Sequence, residues 1–321
     1  MKATDFDLKQ FGRGQKYSFD LELDGDAKGL SLPVLLVCGR HEGKTLVATA
    51  GVHGDEYEGI QTILDTHASL DAKEMSGNFL AVPVANPPAF WNGTRLSPLD
   101  GKNLARVFPG SLDEGSSMAI AHYLAHIVIA CADFYIDLHS SGVKLLMPTM
   151  VGYDVHDPRS RAAADAFGAP VIWEHPVIEP GRTISFAKSR GIPWLYAEAR
   201  GGGRIHPDDL RVYMQGVRNL MLHLGILQGE TSQAPPCLHL YGDGNTDASL
   251  VSEKRGFLIP SVTLLQDVKA GDELGRLVNL HGETVETILA PRDGVVALVR
   301  QWPVVEPGEP TFLITGVQPG K

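Results

Sequence analysis

Cysteine is scarce in this sequence, and the cysteines present lie far apart. Only three occur in 321 residues, Cys38, Cys131 and Cys237, and no two have the spacing of a metal-binding pair. So few cysteines exclude a disulfide framework and a cysteine-rich zinc finger. We expect all three to be reduced, buried thiols of a cytoplasmic protein.

Long apolar runs and an excess of positive charge are also missing. No stretch approaches the roughly 18 apolar residues of a membrane span, and the first residues lack the apolar core of a signal peptide. The 28 Lys and Arg residues against 38 Asp and Glu residues give a net charge of −10, which disfavours nucleic acid as a partner. We therefore expect a cytoplasmic protein that binds a small molecule and neither nucleic acid nor membrane. Assembly into a homo-oligomer stays open.

One short stretch, residues 47–59, has the features of a ligand-binding turn. It begins apolar and rich in Val and Ala, as in a buried parallel strand, and glycines then break the run before a helical pattern begins at Ile60. This places His53 and Glu56 at the carboxyl end of a strand, where open α/β sheets bind their ligands. An imidazole and a carboxylate three residues apart can both bind one metal ion, and both are ordinary zinc ligands.

A second histidine follows another predicted strand, residues 133–138. His139 then occupies the same kind of position as His53. His53, Glu56 and His139 together supply three protein ligands, which leaves one coordination position open, as in a catalytic zinc site. We expect one zinc ion per chain. The alternative is that both histidines lie in ordinary turns at strand ends.

Glu198 lies near the end of a further predicted strand, residues 193–199, directly after the apolar residues 194–197. A carboxylate at such a half-buried position requires a partner or a function. It could serve as a general base beside the metal, or it could form a salt bridge with Arg200 or Arg204. The sequence leaves these two interpretations open.

The order of predicted elements indicates an α/β fold. Strands alternate with helices over residues 1–230, which predicts a mostly parallel mixed sheet. We expect residues 32–38 and 44–50 to form a hairpin, whose second strand leads to His53. We predict one long loop for residues 87–110. Composition shifts at residues 228–236, and residues 231–321 read as a small all-β domain.

Several segments together resemble the succinylglutamate desuccinylase/aspartoacylase family, a branch of the zinc carboxypeptidase superfamily. They follow one another in the family's order across about residues 30–200. The matching segments are Gly51–Glu56, Asn86-Pro87, Gly93–Arg95, Asp100–Gly110, Asp137–His139 and Glu198. The resemblance implies a three-layer, zinc-carboxypeptidase-like α/β domain.

The same resemblance implies a role for each matching residue. It identifies the zinc ligands as His53, Glu56 and His139, and the general base as Glu198. Arg95 is similar to the arginine that stabilises the oxyanion, and Arg106 to the arginine that grips a substrate carboxylate. Asn103 replaces an aspartate that orients the first zinc histidine, and an Asn oxygen can accept the same hydrogen bond. Ala105 departs from the family's usual Asn-Arg pair.

The C-terminal residues resemble the barrel-sandwich modules related to biotinyl and lipoyl domains. The resemblance rests on residues 268–275 and 290–294. A carrier module would need a lysine at the exposed hairpin, where this chain has Pro291-Arg292-Asp293. We therefore expect a module that is structural or shapes the site.

These observations predict a zinc-dependent amidohydrolase that deacylates an N-acyl amino acid or a similar small amide. The enzymatic alternative is a carboxypeptidase-like metallopeptidase. The non-enzymatic alternative is a metal-binding protein that keeps the fold without catalysis. An intact Glu198 beside three ligands favours an enzyme.

Overall fold

Helices and strands alternate through the first two thirds of the chain. The structure, a computed structural model, describes residues 1–232, 238–242 and 244–317. The strands of this part are β1 (Gln15–Glu22), β2 (Ser31–Cys38), β3 (His41–Ala50), β4 (Ser76–Val82), β5 (Phe134–Ser140), β6 (Leu145–Leu146), β7 (Met150–Asp154), β8 (Val171–His175) and β9 (Trp194–Ala199). The α-helices are α1 (Glu58–Ser69), α2 (Pro87–Asn92), α3 (Ser116–Tyr123), α4 (Pro158–Phe167), α5 (Thr183–Ser189) and α6 (Pro207–His223).

The strands form one large mixed sheet with a parallel centre. Its order begins β1-β2-β4-β3-β5-β9-β7-β8, and β4, β3, β5 and β9 run parallel to one another. β2 is antiparallel to β4, and β7 is antiparallel to β9. The predicted α/β class with a large mixed sheet is confirmed. Because the four central strands are parallel, their carboxyl ends meet at one edge.

Apolar side chains alternate between two cores, one on each face of the sheet. In β3, Leu46 and Ala48 pack into the core that includes residues of α1, α4 and α6. Val47 points to the opposite core, which includes residues of α3 and α5. Residues 45–50 of this strand are therefore buried on both faces, which explains why this part is mostly apolar.

Two local predictions are wrong. β2 and β3 do not form a hairpin, because β4 lies between them in the sheet. Residues 87–110 are not entirely loop, because α2 occupies residues 87–92. Asn86 caps α2 by accepting a hydrogen bond from the Ala89 amide, and proline fills the first helical position, where no amide hydrogen is needed.

The C-terminal residues are almost entirely β-structure. Their strands are β10 (Leu238–Tyr241), β11 (Leu250–Val251), β12 (Gly256–Pro260), β13 (Asp267–Val268), β14 (Glu273–Val278), β15 (Thr284–Leu289), β16 (Gly294–Arg300), β17 (Val304–Val305) and β18 (Pro310–Val317). β10 pairs in parallel with β8 and antiparallel with β18, so the large sheet continues into this region. A separate four-stranded sheet has the order β15-β14-β12-β17. The domain boundary at residues 230/231 stays a prediction, and residues 233–236 of the composition shift lie outside the described residues.

The cysteines only partly match their prediction. Cys38 is buried and free, whereas Cys131 is free but only half-buried, so burial was wrongly predicted for Cys131. Cys237 lies outside the described residues. Among the residues that the structure describes, none of the helices has the length and apolar character to cross a lipid bilayer.

Candidate active site

The turn between β3 and α1 positions His53 and Glu56. Gly51 adopts a φ of +61°, a left-handed conformation that glycine allows without strain. At Gly54 a Cβ atom would lie only 2.0 Å from the Ala89 carbonyl carbon, so glycine is required for α2 to approach. The turn is therefore packed tightly, and both His53 and Glu56 are buried.

His139 approaches from the neighbouring strand. β5 pairs in parallel with β3, with Leu138 opposite Ala50, so the two strands end side by side. Glu56 Oε1 lies 2.8 Å from His53 Nδ1, and Glu56 Oε2 lies 2.9 Å from His139 Nδ1. The potential ligand atoms of the three residues all lie within 4.8 Å of one another. The fold thus brings together the three residues that the sequence singled out.

Each histidine has an oxygen acceptor at its other ring nitrogen. His53 Nε2 lies 3.0 Å from Asn103 Oδ1, and His139 Nε2 lies 3.0 Å from Asp137 Oδ2. Asn103 Oδ1 also accepts the Ala105 amide hydrogen at 3.0 Å, which fixes the orientation of the Asn103 amide. Each Nε2 therefore carries a proton. This arrangement orients metal-binding histidines in many proteins.

The electrostatics of the cluster fit a metal cation. Burial, with the nearby Arg95 charge, lowers the pKa of His53 to about 4, so its Nδ1 holds a lone pair at neutral pH. Burial alone would raise the pKa of Glu56, but the two histidines hold it well below its usual range. The lone pair of His53 Nδ1 and the Glu56 Oε1 atom converge at 2.8 Å, and in the metal-free protein the Arg95 charge lies beside the same Oε1. The three donors therefore suit a bound divalent ion.

His139 differs from His53 in its protonation. Burial alone would lower the pKa of His139, but the carboxylates of Asp137 and Glu56 outweigh this effect and raise it well above its usual value. Sequence reasoning missed Asp137. The signal was its place two residues before His139 in the same strand, which puts both side chains on one face of the sheet.

Glu198 lies on β9 beside this cluster. β9 pairs in parallel with β5, and Glu198 is opposite His139 in the register. Its Oε2 is buried and has no hydrogen-bond partner among the described residues. Burial and the Glu56 charge raise the pKa of Glu198 to about 8. Arg200, one of the two arginines that could have formed a salt bridge with Glu198, lies 3.4 Å from Asp209 and pairs with that residue.

Arg95 reaches the cluster from the loop after α2. Its Nη1 donates to Glu56 Oε1 at 2.9 Å, and its side chain is 40% exposed. Arg95 and Glu198 both line the same pocket, together with both histidines. Arg95 therefore faces the space where a reacting carbonyl would lie.

Two further arginines line the pocket and are tied to the C-terminal region. Arg106 donates two hydrogen bonds to the Asp247 carboxylate, at 2.8 and 3.1 Å. Arg182, which sequence reasoning missed, donates to Asn245 Oδ1 at 3.1 Å. Burial and the Arg106 charge lower the pKa of Arg182. No sequence spacing marks Arg182, which lines the pocket, or Asp247, which holds Arg106, because the two residues come from segments far apart in the chain.

A larger cavity of about 850 Å³ adjoins the pocket. Arg95 and Glu198 line both spaces, and the far wall is formed by C-terminal residues such as Leu298 and Trp302. The C-terminal strands therefore form part of the wall of the space that Glu198 and Arg95 line.

The raised pKa of Glu198 predicts a pH-dependent stability of the metal-free protein. From about pH 4.5 to 8 the unfolded chain ionises Glu198 while the folded chain keeps it neutral, so its contribution to stability is lost as the pH rises. Glu198→Gln cannot ionise and should gain Tm relative to wild type across this range. Thermal denaturation of both chelator-treated proteins measures the difference. A Tm difference that is constant with pH would contradict the prediction.

Comparison with known proteins places the chain in a family. The sequence profile of the succinylglutamate desuccinylase/aspartoacylase catalytic domain matches residues 42–224. An N-alpha-acetyl-L-2,4-diaminobutyric acid deacetylase from Halomonas elongata is 33% identical over 322 aligned positions, covering 93% of this chain and 94% of the relative.

Solved structures agree with this placement. The crystal structure of a succinylglutamate desuccinylase from Silicibacter sp. superposes with a TM-score of 0.85 at 28% identity, covering 95% of each chain. The product-bound ectoine utilization protein EutE (DoeB) from Ruegeria pomeroyi also gives a TM-score of 0.85, at 27% identity, covering 95% of this chain and 96% of that chain. The predicted family is confirmed: this chain belongs to the succinylglutamate desuccinylase/aspartoacylase family.

Proposed function

We propose that the protein is a zinc-dependent amidohydrolase that removes the acyl group from an N-acyl amino acid. The observation that carries the proposal is the unpartnered carboxylate oxygen of Glu198, which lies beside a His-Glu-His cluster with converging donor atoms. His53, Glu56 and His139 would hold the metal. Bound there, a zinc ion supplies a Lewis acid that polarises an amide carbonyl and lowers the pKa of a water molecule.

The protein's own side chains would carry the proton and the developing charge. In the metal-loaded protein, where the added positive charge would favour the ionised form of Glu198, its unpartnered Oε2 would accept a proton from the attacking water. It then returns this proton to the nitrogen of the leaving amine. Arg95 stabilises the negative charge on the carbonyl oxygen. Asn103 and Asp137 keep both histidines oriented through Nε2.

The pocket and the Halomonas relative support a substrate class. Arg106 and Arg182 place two guanidinium groups beside the cluster, and such groups bind carboxylates. The relative is named for an N-acetylated diamino acid. We propose a small N-acetylated amino acid with a free α-carboxylate, and N-α-acetyl-2,4-diaminobutyrate is the first compound to assay.

The metal assignment predicts the outcome of removing one ligand. His139→Ala should lose the catalytic zinc and nearly all deacetylation while remaining folded, because the site lies at a strand end outside both cores. Elemental analysis and circular dichroism measure the two properties. The control is His281→Ala, which removes an exposed histidine of the C-terminal region and should change neither. Undiminished zinc in His139→Ala would refute the assignment.

We propose that residues 231–321 form a domain of barrel-sandwich type that shapes the site and carries no cofactor. Asp247 and the cavity wall support the first part of this proposal. The absence of a lysine from residues 290–294 supports the second.

The predicted intact mass follows from this role. The purified chain should have the mass of its sequence, about 34.6 kDa, with no attached biotin or lipoate. Mass spectrometry under denaturing conditions tests this. A covalent addition of either mass would revive a carrier role.

A further inference from the structure

A second cluster of potential metal ligands lies outside the predicted catalytic site. It consists of Glu58, His206 and Asp209, whose ligand atoms lie within 4.8 Å of one another. Glu58 is the first residue of α1, and His206 and Asp209 lie at the start of α6. The cluster therefore joins the amino-terminal ends of two helices.

Glu58 is fully buried, and its carboxylate has no hydrogen-bond partner among the described residues. The Ser140 side chain and the His206 backbone lie close by but do not make a hydrogen bond of ordinary geometry. A buried carboxylate without a partner is strongly unfavourable in its ionised form, so Glu58 must bind either a proton or a metal cation.

Asp209, the other carboxylate of the cluster, is paired with Arg200. Asp209 Oδ1 accepts the Thr149 hydroxyl hydrogen at 2.7 Å and lies 3.4 Å from the Arg200 guanidinium. Asp209 Oδ2 accepts the Arg200 amide hydrogen at 3.2 Å. Arg200 therefore neutralises Asp209, and the charge of Glu58 remains unbalanced.

His206 has the hydrogen bonding of a metal ligand. Its Nε2 lies 2.9 Å from the Gly201 carbonyl oxygen, which can only accept, so Nε2 carries the proton. Its Nδ1 then holds a free lone pair. A backbone carbonyl at one ring nitrogen is a common partner of histidines that bind a metal through the other. Partial exposure of His206 also gives an ion a route from solvent.

We propose that Glu58, His206 and Asp209 bind a second divalent transition-metal ion. Two carboxylates and one imidazole are ligands that zinc accepts. The ion would bridge the start of α1, two residues after Glu56, to the start of α6. Tyr213 of α6 donates a hydrogen bond to the His139 carbonyl at 2.8 Å. By linking α6 to α1, the ion would therefore stabilise the turn between β3 and α1 that holds His53 and Glu56. Its role is structural.

Zinc stoichiometry tests the proposal. The protein is purified, saturated with Zn²⁺, freed of unbound metal by gel filtration and measured by elemental analysis. Wild type should hold two ions per chain, and Glu58→Gln should hold one. Glu74→Gln is the matched control, because it makes the same change at an exposed glutamate, and it should hold two. His139→Ala should also retain one ion, which separates this site from the catalytic one.

Two results would overturn the second site. The first is one ion in wild type that His139→Ala loses, and the second is equal zinc in Glu58→Gln and wild type. Either result would mean that a proton, and not a metal ion, balances Glu58. If Glu58→Gln does not fold, anomalous diffraction at the zinc edge from wild-type crystals decides: a peak between Glu58, His206 and Asp209 supports the site, and none refutes it.

Discussion

Replacing Glu198 by Gln should lower kcat by on the order of 10² or more while leaving the catalytic metal bound. Gln is nearly isosteric with Glu but cannot accept the proton of the attacking water. Glu198 does not belong to the cluster of His53, Glu56 and His139, so zinc content should not change. Steady-state kinetics on an N-acetyl amino acid, with zinc analysis of the same preparation, measures both effects.

The Glu198 experiment separates chemistry from folding. Unchanged zinc content and an unchanged circular dichroism spectrum show that the site is intact. Glu198→Asp is a useful companion, because it keeps the carboxylate but shortens the side chain, and it should recover part of the activity. A near-normal kcat in Glu198→Gln would show that Glu198 is not the general base.

Replacing Arg106 by Ala should weaken kcat/KM for a carboxylate-bearing substrate by roughly 2–4 kcal/mol, the cost of losing a charged partner. Asp247 holds the guanidinium with two hydrogen bonds, so Arg106 is fixed before the substrate arrives. Ala105 has no side-chain donor that could replace it. The comparison substrate is the same compound with its carboxylate amidated. For this substrate, Arg106→Ala should lower kcat/KM only slightly.

A matched control removes an arginine that is also paired with a carboxylate but lies outside the pocket. Arg255 is exposed and lies 2.8 Å from Glu306, so Arg255→Ala should leave kcat/KM unchanged. If Arg106→Ala lowers kcat/KM equally for both substrates, Arg106 supports the loop and does not bind the carboxylate. If kcat/KM for the carboxylate-bearing substrate falls by less than about tenfold, we would assign carboxylate binding to Arg182 instead.

Sequence reasoning located the elements of the site because their signals are local. Glycines after an apolar run indicate a strand-to-helix turn, and parallel strands bring their carboxyl ends to one edge. For that reason His53, Glu56, His139 and Glu198 could be placed together before the structure was known. The identity of their roles stays a prediction that the proposed variants test.

What the sequence did not reveal depends on contacts between distant segments. The insertion of β4 between β2 and β3 reflects long-range strand pairing, for which a short turn gives no signal. Asp247 is 141 residues from Arg106 and lies beyond the predicted domain boundary. Arg182 is distinguished only by its position in the folded pocket.

The ties from Arg106 and Arg182 to residues 245–247 limit how this protein can be recombined with its relatives. A chimera joined at the predicted boundary would pair these arginines with a foreign segment and lose the partners that hold them. If Arg106 and Arg182 bind the substrate as proposed, recognition depends on contacts between the two regions, and substitutions in one region should be matched in the other. Exchanging specificity between family members would require transplanting residues 244–247 with the catalytic part.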